Sequence, residues 1–267
     1  MLQEPRSGRM VAWGNALLGG FVSPDEAVQE IVGGDSVHRI EGLPGEQEAV
    51  GLSLGLGRLR ALGVTGFRVA LPAPGHPLGL SGPAQFNTRA LVAQEAVISV
   101  GKAALGLVPE ITEMGPRQDC HVEVVWQCLV VRDAPPADVP SLGEAERELA
   151  EALREATATL ARLDVAGAGP AAQAALDAYR ARAEQGREVL APGYPARAAR
   201  VLELAQRVGA LTSIAQGRDD SAEHGTAVSA SQIAARAELL RPVERTARRA
   251  QVAAYNAYVE EAERRRR

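Results

Sequence analysis

The second half of this chain, residues 141–267, is rich in alanine, leucine and arginine and repeats its apolar residues at helical spacing. Intervals of four and three residues separate Leu149, Leu153, Ala156, Leu160 and Leu163, which places them on one helix face. Because such a face is stable in water only when another element covers it, this half must fold as packed helices. The sequence predicts an all-α domain, either a helical bundle or a set of helical hairpins.

The ends of these helices carry recognisable signals. Ser141 and Glu144 form a capping-box pattern at the start of the first helix, and Pro170 opens the second. A third helix is predicted over about 196–216 and a fourth over about 226–264. Pro242 lies inside the fourth helix, where proline predicts a kink or a break just before it.

The first 140 residues alternate helix and strand signals. Ser23 before Pro24 is a strong helix start, and that helix should end near Val32. Strands are predicted over 36–41, 66–71, 95–101, 104–111 and 121–131. Short links between the last three predict an antiparallel meander, and the earlier helix–strand pairs suggest helices on one face of a mixed sheet. The predicted class is therefore α+β, with an N-terminal mixed α/β domain whose sheet is largely antiparallel.

A length of 267 residues favours two domains. The segment 134–140, APPADVP, contains three prolines. Such a segment predicts an extended linker between the two domains. The sequence thus divides into a disordered leader at 1–9, the mixed α/β domain at 10–133, the linker, and the helical domain at 141–267.

Aromatic residues make up only 3% of the chain, so alanine supplies much of its apolar content. An alanine-rich interior buries less apolar area per residue, at roughly 25 cal/mol per Å². Its helices must approach closely or gain burial from a partner chain. Lys102 is the single lysine, a bias that indicates a high-GC bacterium more strongly than selection for arginine forks.

The loop Pro72–Pro83 is the most unusual segment, with prolines and glycines directly after a predicted strand. Sheets of this kind often carry ligand-binding loops at that place. His76 could act as an acid–base or ligating group, Ser81 could donate to an anion, and Asn87 could orient a ligand or cap the next helix. The loop lacks a phosphate-binding motif, so a rigid connection is the favoured interpretation.

Four arginines, Arg264–Arg267, end the chain. They could contact nucleic acid, an anionic surface or an acidic protein. The net charge of −4 and the lack of interleaved aromatic residues argue against nucleic acid. Arginines at a helix C-terminus also interact favourably with the helix dipole, so a solvated helix end is favoured.

Cys120 and Cys128 are the only cysteines. On one strand they would be too far apart to bridge, which favours a reducing cytoplasm. His121 would face away from both, so a metal site is not expected. We expect no catalytic residue, metal or cofactor, and no apolar segment is long enough to span a membrane.

The segment 250–259 combines small residues with Tyr255, Tyr258 and Val259. The two tyrosines lie three residues apart and share a helix face. They could form a partner or oligomer interface, or they could pack into the core of the same chain, which we favour.

The function predicted from these features is that of a non-enzymatic interaction or assembly protein, which oligomerises or binds a protein partner through its helical half. An enzyme or small-ligand-binding module that uses the Pro72–Asn87 loop is the first alternative. A weak nucleic-acid contact through Arg264–Arg267 is the second.

Overall fold

The computed structural model describes residues 4–116, 120–162, 190–215 and 230–266, and these residues divide into two compact units. The sheet unit contains residues 4–116, 120–139, 190–195 and 255–266. The helical unit contains residues 140–162, 196–215 and 230–254. The predicted second helix of the helical half, from Pro170 to Leu190, lies outside the described residues except for its last position.

The sheet has six strands in the order β2-β1-β6-β5-β4-β3. They are β1 (Val37–Glu41), β2 (Val50–Gly51), β3 (Val64–Ala70), β4 (Ala96–Gly101), β5 (Leu105–Met114) and β6 (His121–Val130). Strand β1 runs parallel to β6, and every other neighbouring pair is antiparallel. The predicted mixed, largely antiparallel sheet and the antiparallel meander of its last three strands are confirmed.

Four helices lie wholly within the described part of the sheet unit: α1 (Arg6–Leu18), α2 (Pro24–Val32), α3 (Leu52–Ala61) and α4 (Ala84–Ala93). Helix α2 begins as predicted, because the Ser23 hydroxyl accepts a hydrogen bond from the Glu26 N–H at 3.2 Å. Helix α1 lies against β3, where Gly14 leaves room for the ring of Phe67. Helix α4 places Phe86 over Gly106 of β5, and it packs on Ala96 and Val108.

Arg6–Arg9, which the sequence pattern assigns to a disordered leader at 1–9, form the first turn of α1. These residues look like a solvated terminus because they are polar, yet Arg6 and Ser7 are buried. The N-cap position is Pro5, which provides no side-chain acceptor. The acceptor comes instead from Glu95, which lies 88 residues further along the chain.

Three helices form the described part of the helical unit: α5 (Leu142–Arg162), α6 (Ala196–Ala215) and the beginning of α7 (Ala230–Arg266). The predicted capping box is present, with Ser141 Oγ and N donating to Glu144 Oε2 at 2.7 and 2.9 Å. Arg197 pairs with Glu146 at 2.6 Å, which ties α6 to α5. Helix α7 continues through Pro242 without a break. The predicted break just before Pro242 is therefore wrong.

The last helix does not belong wholly to the helical domain predicted at 141–267. Residues 230–254 of α7 lie in the helical unit, whereas 255–266 lie in the sheet unit. Residues 190–195, between the two helical segments, also belong to the sheet unit. The sheet unit is therefore assembled from three separate parts of the sequence.

Candidate functional site

Two groups of buried polar side chains stand out in the sheet unit. The first, called here the ion cluster, consists of Arg6, Arg9, Asp35, His38 and Trp126. The second, called here the amide clamp, consists of Asn15 and Asn256 on the outer edge of β3. Neither group was recognised from the sequence.

Asp35, between α2 and β1, is the centre of the ion cluster. Its carboxylate accepts from Arg6 Nε and Nη2 at 2.8 and 2.7 Å, from Arg9 Nη2 at 2.9 Å and from His38 Nε2 at 3.0 Å. Burial alone would raise the pKa of Asp35, but the hydrogen bonds from Arg6 and His38, with the charges of both arginines, hold that pKa below its ordinary value. Asp35 is therefore ionised at neutral pH.

His38, on β1, uses both of its ring nitrogens. Nε2 faces Asp35, and Nδ1 lies 3.3 Å from the indole Nε1 of Trp126, which can only donate. The hydrogen-bond geometry therefore assigns the proton of the neutral ring to Nε2. Burial lowers the pKa of His38, and its side chain is 0% exposed. Because both nitrogens are occupied and no solvent reaches the ring, His38 is not available as a general base.

Glu95, just before β4, joins the same region by capping α1. Its Oε2 accepts from the backbone N–H and from the hydroxyl of Ser7, both at 2.7 Å. A carboxylate at a helix N-terminus satisfies an otherwise unpaired donor and interacts favourably with the helix dipole. Burial raises the pKa of Glu95, although the two bonds from Ser7 oppose this.

The ion cluster is almost completely paired within the chain. Among the described residues, Arg9 Nε is the one buried side-chain nitrogen or oxygen without a hydrogen-bond partner. In the same residues, no three His, Cys, Asp or Glu side chains are grouped so that they could hold a metal ion. The hydrogen bonds of the cluster join α1, the start of β1 and β6 to one another. Their role is therefore to stabilise the fold.

The amide clamp closes the outer edge of β3, the last strand of the sheet. Asn15 of α1 accepts from the Phe67 N–H at 2.7 Å and donates to the Phe67 carbonyl at 3.0 Å. Asn256 of α7 does the same at Val69, at 2.7 and 3.2 Å. Each carboxamide thus replaces one residue of a neighbouring strand. An open strand edge can pair with other chains, and here two helices occupy it.

Further contacts hold the end of α7 in this position. Tyr255 is fully buried, and a Cβ at Gly8 would lie 2.5 Å from its Cζ, so α1 needs a glycine there. The Tyr194 hydroxyl donates to the Tyr255 carbonyl at 3.0 Å and accepts from Asn15 at 3.2 Å. The asparagines were missed because each stands alone in an apolar helical run; a single buried amide in such a run is the signal that could have indicated them.

The Pro72–Pro83 loop is fixed to the sheet unit by backbone contacts. Gly79 donates to the Ala137 carbonyl at 2.8 Å, so the predicted linker at 134–140 is held against this loop. His76 Nδ1 lies 4.0 Å from Asp138 Oδ2, and Ser81 is half-buried. Asn87 accepts from the Gly82 N–H at 3.0 Å, which ties the loop to the start of α4. The ligand-binding hypothesis for His76, Ser81 and Asn87 stays a prediction.

The structure does not present Tyr255 and Val259 as a partner surface. Tyr255 is 0% and Val259 3% exposed, and both pack inside the sheet unit. Tyr258 is half-buried beside the rings of Phe21 and Tyr194. Tyr255 and Val259 are covered by α1 and by β3 of the same chain, and a partner or oligomer interface at Tyr255, Tyr258 and Val259 stays a prediction.

Arg264 and Arg265 pair with acids one turn earlier on α7. Arg264 lies 3.4 Å from Glu260, and Arg265 lies 3.3 Å from Glu261. The side chain of Arg266 and all of Arg267 lie outside the description. Exposed i,i+4 pairs of this kind suit a solvated helix end, and nucleic-acid contact through Arg264–Arg267 stays a prediction.

Comparisons with known proteins place these units in a family. The model described as "Rv1486c-like protein, N-terminal domain" matches residues 7–140, and "Rv1486c-like protein, C-terminal domain" matches residues 143–252. The C-terminal model thus ends just before the part of α7 that belongs to the sheet unit.

Two mycobacterial proteins are similar to this chain along most of its length. The uncharacterized protein Rv1486c of Mycobacterium tuberculosis is 30% identical over 281 residues, covering 94% of this chain and 96% of that protein. The uncharacterized protein ML1804 of Mycobacterium leprae is 32% identical over 208 residues, covering 73% of this chain and 68% of that protein. Both come from high-GC bacteria, the class that the arginine excess predicts. No solved structure matches the chain. By both family models and both relatives, the chain belongs to the Rv1486c-like protein family.

Proposed function

We propose that this protein is a non-enzymatic assembly protein that associates with a second copy, or with another protein, through its helical unit. The observation that carries the proposal is the composition of the core of that unit. Alanines make up half of the buried apolar residues described there, and none of those residues is aromatic. The alanines are Ala145, Ala198, Ala205, Ala210, Ala247, Ala250, Ala253 and Ala254.

Such a core gives little stabilisation per residue. Burying a methyl group contributes far less than burying a leucine or aromatic side chain, which is worth about 1.5–3 kcal/mol. Ion pairs also connect these helices, such as Arg197 with Glu146 and Arg249 with Glu148. These pairs are partly exposed and each contributes about 0–1 kcal/mol. Burial of additional apolar surface against another chain would supply the stabilisation that the alanine-rich core lacks.

The polar groups of the sheet unit support the same proposal. The donors and acceptors of the ion cluster and the amide clamp are used to join helices to strands.

None of the helices in the described residues combines the length and apolar character needed to cross a membrane. Cys120 and Cys128 are free thiols, as in a reducing compartment, and the proposal places the protein in the cytoplasm.

The test is the mass of the full chain in solution. Light scattering across a concentration series should show at least twice the mass of one chain at high micromolar concentration. Ala150, an exposed residue on α5, should be replaced by Arg to disturb the helical unit, and this variant should associate more weakly. Val92 is 82% exposed on α4 of the sheet unit, so Val92→Glu is the matched control and should leave the mass unchanged.

Two results would contradict association with a second copy through the helical unit. The first is a chain that remains monomeric over the whole series. The second is an oligomer that dissociates with Val92→Glu and persists with Ala150→Arg, because association would then use the sheet unit.

A further inference from the structure

His38 of β1 lies between the turn after α2 and strand β6, because it hydrogen-bonds to Asp35 on one side and to Trp126 on the other. Arg6 and Arg9 of α1 bind the same Asp35 carboxylate. In the parallel pairing of β1 with β6, His38 lies opposite Val124. Trp126 is two residues further along β6. The imidazole thus hydrogen-bonds both to Asp35 and to Trp126 of β6.

Its hydrogen bonds suit only the neutral ring. Nδ1 must keep its lone pair to accept from Trp126 Nε1 at 3.3 Å. A proton added to Nδ1 would place two N–H donors face to face, and the Trp126 bond would be lost. The bond from Nε2 to Asp35 would remain, so protonation would break one side of the connection selectively.

The guanidinium groups of Arg9 and Arg6 also oppose protonation of the ring, whereas the carboxylate of Asp35 favours it. Arg6 and Arg9 already share the single carboxylate of Asp35. Glu95 and Glu113 interact electrostatically with Arg6. A positive imidazole would therefore be buried beside two guanidinium groups that already share the carboxylate of Asp35.

We propose that His38 is a proton-sensitive latch, which holds α1 and β1 against β6 when neutral and loosens them when it takes up a proton. The inference is independent of the proposed assembly through the helical unit. Because α1 also carries Asn15, loosening α1 would weaken the amide clamp on Phe67 and open part of the β3 edge.

The direction of the pH effect follows from the ring's environment. Burial lowers the pKa of His38 below the ordinary value of 6.5. The stabilisation is therefore complete above about pH 6.5 and is lost as the pH falls through the folded-state pKa. Asp35, with its lowered pKa, stays ionised through this range. Glu95, with its raised pKa, has the opposite effect, since its proton uptake favours the folded state.

The experiment follows Trp126 by NMR in the full chain. Trp13→Phe leaves Trp126 as the only indole, because the chain has two tryptophans. Between pH 7.5 and 5, the Trp126 indole N–H resonance should move in one step with a midpoint below about pH 6.5. His38→Gln, which removes the titrating ring, should abolish the step. The matched control is His121→Gln, at an exposed histidine on β6, which should retain it.

An absent step, or a step that persists in His38→Gln, would overturn the proposal. Should His38→Gln fail to fold, Trp126→Phe provides a second test. This change removes the opposing indole donor, so the titration midpoint of the His38 ring, measured at Cε1–H, should rise by at least about half a pH unit. An unchanged midpoint would show that Trp126 does not hold the ring neutral and would equally overturn the latch.

Discussion

A chain that ends at Ala254 is expected to lose the cooperative fold of its sheet unit. The truncation removes Tyr255 and Val259 from the core and leaves the N–H and carbonyl of Val69 without Asn256. Loss of a buried aromatic side chain costs about 3–5 kcal/mol, and each unpaired buried backbone group about 1–3 kcal/mol. The sum is comparable with the whole stability of a typical domain. Urea denaturation followed by tryptophan fluorescence would measure it.

A chain that ends at Ala262 is the matched control. It retains Tyr255, Asn256 and Val259 and loses the arginine tail and the ion pair between Arg68 and Glu263. That pair is partly exposed, so its loss should cost about 0–1 kcal/mol. If both truncated chains unfolded at the same urea concentration as the full chain, the end of α7 would not be part of the sheet unit.

Replacement of Asp35 by alanine is expected to have the second large effect. The change leaves Arg6, Arg9 and His38 without their shared acceptor, inside a region that water barely reaches. Breaking a buried ion pair from one side costs about 3–5 kcal/mol, because the remaining charge is left uncompensated. The free energy of unfolding at pH 7 should fall by about that amount.

An exposed ion pair in the same sheet provides the comparison. Arg39 and Glu123 lie 3.6 Å apart on β1 and β6, with side chains that are 52% and 30% exposed. Glu123→Ala should therefore cost less than about 1 kcal/mol. Equal losses for Asp35→Ala and Glu123→Ala would mean that the ion cluster does not stabilise the fold more than a surface pair.

The features that the sequence predicted correctly depend on neighbouring residues. Ser23 caps α2 and Ser141 caps α5, because in both helices the serine side chain contacts a backbone or side chain three positions later. The strands β4, β5 and β6 were found because a strand needs only β-branched and apolar residues in a short run bounded by turn residues.

The features that were missed depend on distant residues. The cap of α1 is Glu95, the centre of the ion cluster is Asp35, and Val69 is paired by Asn256, which lies 187 residues away. Composition near Arg6 indicates only a polar terminus, and nothing in the run around Asn256 shows that a strand edge lies beside it. Such contacts follow from the fold rather than from local pattern.

The same limit applies to the candidate sites. The loop at Pro72–Pro83 is unusual in composition, which makes it conspicuous in the sequence. The ion cluster instead combines Arg6 of α1 with Asp35 and His38 near the start of β1, and each of these residues has ordinary sequence neighbours. Tyr255 was recognised as an apolar helix residue, but the identity of its covering surface, α1 at Gly8, required the fold.

Native-state hydrogen exchange at the amides of Phe67 and Val69 tests most directly that Asn15 and Asn256 close the edge of β3. Both N–H groups should be protected as strongly as the amides that β5 and β6 pair in the middle of the sheet. In Asn256→Ala, protection should fall at Val69 far more than at Phe67. Rapid exchange of both amides in the unaltered chain, as on an open strand edge, would contradict this account of how the two ends of the sequence complete one unit.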